Sequence, residues 1–121
     1  MSQLKAKHRK ALEEFLELKL SLEQLRERLS GVLEFDFKDH QRKLTTHYGT
    51  PEPGVRVEMR HIRNAMDKQG RGEITTEQLS DWAAMLQLNG AYDWEGPEEE
   101  EIADWLNEMS LLALKPKAQA E

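Results

Sequence analysis

Leu20-Ser21-Leu22-Glu23-Gln24-Leu25 and Ile74-Thr75-Thr76-Glu77-Gln78-Leu79 carry one pattern twice, 54 residues apart. Each has an apolar residue, then a hydroxyl residue, then a glutamine three positions further on. A Ser or Thr hydroxyl can accept from the backbone amide three residues ahead, while a Gln there reaches back to the amide of the hydroxyl residue. Leu20 with Leu25, and Ile74 with Leu79, then supply the hydrophobic staple. Both stretches therefore announce helix starts. Two related helix–turn–helix units would explain the recurrence, and so would repeated use of an effective cap.

Working outward, apolar spacing predicts the remaining helices. Leu4 to Leu18 places Leu4, Ala11, Leu12, Phe15 and Leu16 on one side. The helix after Ser21 buries Leu22, Leu25 and Leu29 and stops near Gly31. Val55 to Gln69 carries Val55, Met59, Ile62 and Met66 as a stripe, broken by Gly70 and Gly72. The helix after Thr75 buries Leu79, Trp82, Ala83 and Leu86 and ends near Asn89-Gly90. Pro97 suits the first turn of a fifth helix, which turns Ile102, Trp105, Leu106, Met109 and Leu112 or Ala113 inward. Leu33, Phe35 and Phe37 alternate with charged residues, as a short extended segment would. Residues 45–54, with two prolines and two glycines among the last six, read as a loop. The expectation is an all-α fold: one compact bundle of about five helices over residues 1–114, a short extended segment near 33–38, and a disordered tail at 115–121.

Composition narrows the chemistry. The 121 residues contain no cysteine, so disulfides, thiolate nucleophiles and Cys-based zinc sites are excluded. The N-terminal residues are basic but lack an apolar signal-type run, and no apolar stretch approaches a membrane span. A cytoplasmic protein is expected. Residues 1–60 hold 12 Lys and Arg against 10 Asp and Glu, whereas residues 61–121 hold 5 against 13. Between Gly72 and Leu114 there are 11 acidic residues and no Lys or Arg. That half repels phosphate backbones, so no nucleic-acid partner is expected. It would instead attract a basic protein. Tyr92, Asp93, Trp94 and Glu95, an aromatic pair framed by acid, with the run Glu98, Glu99, Glu100 and Glu101, make the candidate partner-binding surface.

Other chemistries fit less well. Asp67 to Gln78 resembles a calcium-binding EF-hand loop at Asp67, Gly72 and Ile74, but the ligand positions hold Gln69, Arg71 and Gln78. A regulatory protein with a degenerate corner of this kind is one alternative. Another is an enzyme using His40, His47 and His61. The four histidines, including His8, lack zinc-site helical spacing and read as surface residues. The basic cluster Lys5, Lys7, His8, Arg9 and Lys10 has no aromatic anchors, as expected of a mixed-charge helix face rather than a lipid-binding one. No catalytic group, cofactor or metal is expected. Finally, Gly72-Glu73-Ile74-Thr75-Thr76-Glu77-Gln78-Leu79-Ser80-Asp81-Trp82-Ala83 resembles a pattern in small bacterial all-helical proteins, some of them similar to immunity proteins of toxin systems. The resemblance implies a non-enzymatic bacterial protein that neutralises a toxin.

Overall fold

In the computed structural model, which describes residues 5–37, 42–49, 51 and 53–114, both glutamine-backed starts are helix caps. Ser21 Oγ accepts from Gln24 N at 3.2 Å while Gln24 Oε1 accepts from Ser21 N at 2.9 Å. Thr75 and Gln78 repeat the exchange at 3.0 and 2.8 Å. The staple residues Leu20 and Leu25 are buried, as is Leu79.

Five helices follow: α1 Ala6–Leu16, α2 Leu22–Arg28, α3 Met59–Gly70, α4 Thr76–Leu88 and α5 Glu99–Ser110, with a 3-10 turn at Leu112–Leu114. They are not the whole fold. Strands β1 Leu33–Asp36 and β2 Lys43–Thr46 pair antiparallel, Leu33 opposite Thr46 and Phe35 opposite Leu44. Strands β3 Val55–Arg56 and β4 Tyr92–Asp93 pair in parallel. The all-α expectation is therefore overturned: the chain is mixed α/β, five helices with two small sheets.

Each correction has a local cause. The extended segment expected near 33–38 is the first arm of a hairpin; Lys38 lies outside the described residues. Its partner, Lys43-Leu44-Thr45-Thr46, carries β-branched threonines, but only Leu44 is apolar, so its alternation is weak. Val55 belongs by spacing to the α3 stripe, yet its amide donates to Ala91 O at 2.7 Å, and Val57 N donates to Asp93 O at 2.8 Å. Those bonds hold the segment extended, and the helix begins only at Met59. A side chain at Gly54 would collide with the Asp93 carboxylate and the Ala91 carbonyl, so glycine permits the two backbones to approach. A two-residue pairing of this kind leaves no periodic trace in the sequence.

The core is one cluster running through all five helices and both sheets. Helix α4 lies at its centre. Leu79 and every residue from Trp82 to Leu86 are buried, and α4 packs along α5 more extensively than any other pair of elements. The hairpin is fastened to these helices by Arg42, whose guanidinium donates to Ser110 O, Ser80 Oγ and Asp81 Oδ1 at 2.6, 2.8 and 3.1 Å. Tyr48, expected in an open loop, is buried and donates to Asn89 Oδ1 at 2.9 Å. Asn89 Oδ1 also caps Ala91 N.

Candidate functional site

The expected partner surface divides at Trp94. Tyr92 is buried, and its hydroxyl donates to Leu12 O at 2.7 Å, joining β4 to α1. Burial pushes the Tyr92 hydroxyl pKa well above its usual value, with the Tyr48 hydroxyl and Glu13 adding to the rise. The ring belongs to the core cluster. Asp93 lies 3.9 Å from Arg56, and Trp94 packs partly buried against the core in a pocket shared with Arg56 and Glu98. Glu95 and the run Glu98 to Glu101 are exposed. Glu98 is the N-cap of α5 and Glu99 to Glu101 fill its first turn, where carboxylates complement the positive end of the helix.

The exposed aromatic of this face is Trp105. Along α5 the buried stripe is Ile102, Leu106 and Met109. Trp105 lies beside that stripe, is 37% exposed, and lines a shallow depression of about 300 Å³ with Glu101, Asp104 and Glu108. On a helix, residues three and four apart are neighbours, so Glu101 and Glu108 flank the ring from the turns before and after. The inward orientation expected for Trp105 took too wide a stripe. The signal that would have placed it was the acid at positions −4, −1 and +3 around the ring. Leu111, at the end of the same helix, is also exposed.

An indole face attracts a Lys or Arg head, and flanking carboxylates add charge-assisted hydrogen bonds. Because α5 is packed along α4, the frame is carried on a rigid element rather than on a loop.

The other candidate chemistries meet specific obstacles. In the EF-hand-like corner, Glu73 is engaged by Arg71 Nε at 2.6 Å and Lys68 Nζ at 3.3 Å, so two cations occupy the carboxylate. Among the described residues no three His, Cys, Asp or Glu side chains gather as a metal site would require. His40 lies outside the described residues. His47 is exposed, 3.6 Å from Glu34. The expectation of surface histidines fails at His8 and His61, which are 7% and 2% exposed. His8 has its pKa lowered by burial and then by Lys7 and Lys5. His61 is a structural connector. Its Nδ1 accepts from Glu58 N at 2.9 Å, which leaves Nε2–H to donate to Glu17 Oε2 at 3.0 Å. Arg60 joins the same Glu17 oxygen at 3.0 Å. In the basic N-terminal cluster, Arg9 is drawn onto the carbonyls of Pro53 and Gly54.

No protein-family model matches this chain, and no match was found among curated proteins or solved structures.

Proposed function

We propose that this chain is a non-enzymatic protein-binding module that holds a basic partner against the outer face of α5, with neutralisation of a basic toxin in the cytoplasm as its most concrete form. One observation carries the reading: an exposed Trp105 set among Glu101, Asp104 and Glu108. A segment of 11 acids without one Lys or Arg surrounds it in sequence. Long-range attraction would speed encounter, and the ring would supply the desolvated anchor that a charged rim alone lacks. Glu95 and Glu98 to Glu101 extend the field, while Tyr92 and Asp93 shape the fold behind it. The same field disfavours nucleic acid. No helix among the described residues is long and apolar enough to cross a membrane.

Capture from the native cell on immobilised wild type and on Glu101→Lys/Asp104→Lys/Glu108→Lys tests the reading. A basic protein should be retained by the wild type and lost on the triple variant. Its association rate should fall about tenfold or more as salt rises through the range where the Debye length shrinks below roughly 10 Å. A partner held equally by both proteins overturns the proposal.

A further inference from the structure

The two glutamine-backed caps belong to two corners built alike. At each, the preceding helix ends in a Schellman motif: Leu18 N to Phe15 O and Lys19 N to Glu14 O, both at 2.9 Å, and Gly72 N to Gln69 O at 3.1 Å and Glu73 N to Lys68 O at 2.8 Å. The left-handed position of that motif holds Gly72 at φ +76° in one corner and Leu18 at φ +61° in the other. The corners face one cleft of about 340 Å³ walled by Phe15, Leu18, Leu20, Leu22, Ile74 and Trp82. Leucine rarely takes this backbone, and glycine serves at the matching position. At 18 the leucine side chain forms part of the cleft wall.

The polar lining of this cleft combines Lys19, Gln24 and Gln78 with Ser21 and Glu23. Gln24 and Gln78 commit Oε1 to their capping boxes, which leaves each NH2 without a partner among the described residues. Lys19 lines the same cleft, and its ammonium makes no ion pair among the described residues. The carboxylate in the lining, Glu23, is held by Arg26 at 2.8 Å. An apolar wall bordered by exposed amide donors and the Lys19 ammonium suits an apolar molecule whose polar end accepts.

We propose that the cleft binds a small aliphatic monocarboxylate, its chain against the leucines and Ile74 and its carboxylate toward Lys19 and the glutamine amides. The volume sits at the low end of ligand pockets, roughly 300–1,000 Å³, which suits a medium-length acid. The site shares no lining residue with the Trp105 depression and does not depend on the α5 reading.

Calorimetric titration of the whole chain with octanoate and with 1-octanol provides the test, using wild type, Lys19→Met and Leu22→Trp, with circular-dichroism melting of each variant. Saturable octanoate binding with Kd below about 1 mM is expected, and octanol about tenfold weaker or worse. Lys19→Met should weaken octanoate about fivefold and leave octanol unchanged, while Leu22→Trp, filling the cleft, should abolish both. Lys19 is exposed, so its variant remains informative if Leu22→Trp fails to fold. No saturable heat with octanoate, equal affinity for the alcohol, or octanoate binding insensitive to both substitutions overturns the proposal.

Discussion

Replacing Arg42 by methionine should destabilise the protein by about 3 kcal/mol. The Arg42 and Asp81 side chains are 11% and 16% exposed, so the pair lies well below the surface regime in which ion pairs contribute little. Three acceptors receive the guanidinium: Ser110 O, Ser80 Oγ and Asp81 Oδ1. Hydrogen bonds to charged groups contribute roughly 1.5–3 kcal/mol each in mutational series. Three such bonds would overstate the loss, because Ser80 Oγ still donates to Ser110 O at 2.8 Å and accepts from Ala113 N at 3.3 Å when Arg42 is gone. Methionine also keeps part of the aliphatic packing. About 3 kcal/mol corresponds to a fall in Tm of about 10 °C for a domain of this size. Urea denaturation followed by circular dichroism measures it directly, with an unchanged m-value expected. Lysine keeps the charge but loses the fork, so Arg42→Lys should fall between the two. If Arg42→Met costs under about 1 kcal/mol, the hairpin is not anchored to α4 and α5 as described.

Three further expectations concern other parts of the fold. Burial lowers the His61 pKa below 6.5 despite the Glu17 hydrogen bond, with Arg60 lowering it further and the Glu17 and Glu58 charges opposing. The neutral ring is the native form, so its contribution is full above the unfolded value near 6.5 and shrinks as pH falls below it. At Glu17 burial raises the pKa, but hydrogen bonds from His61 and Arg60 outweigh it and hold the carboxyl below 4.5. Its contribution is therefore lost as pH falls through that lowered value; stability measured from pH 8 to 3 should decline in two stages, and His61→Gln should remove the upper one. Tyr92→Phe should cost about 1–2 kcal/mol by denaturant titration, because the Leu12 carbonyl loses its buried donor. Gly72→Ala should cost about 1 kcal/mol or more from the left-handed backbone alone, since open space surrounds the added methyl; an unchanged Tm would contradict the Schellman assignment.

How much of this was legible in the sequence depends on the range of the interaction. The caps at Ser21 and Thr75 were readable because every participant lies within five residues. Helices α2, α4 and α5 followed from spacing and local stops. The extended segment of residues 33–37 was legible by its alternation, but its partner strand and the second sheet were not, since Lys43 to Thr46 shows little alternation and the Val55–Tyr92 pairing joins segments 37 residues apart. The same limit governed the site. Acid at Glu98 to Glu101 was visible, but whether Tyr92, Trp94 or Trp105 faces outward depends on what α1, β3 and α4 cover. Leu12 O claims Tyr92, Arg56 sits beside Trp94, and the buried stripe of α5 is narrow enough to leave Trp105 at its edge. His61 was hidden for the same reason, its two partners lying 3 and 44 residues away.

Hydrogen–deuterium exchange and hydroxyl-radical footprinting of the complex with the captured partner locate the contact most directly. The account predicts protection of the Trp105 ring and of side chains along residues 98–111, with the β1–β2 hairpin unchanged. Protection confined to the hairpin or to α1, with Trp105 as reactive as in the free protein, would contradict it.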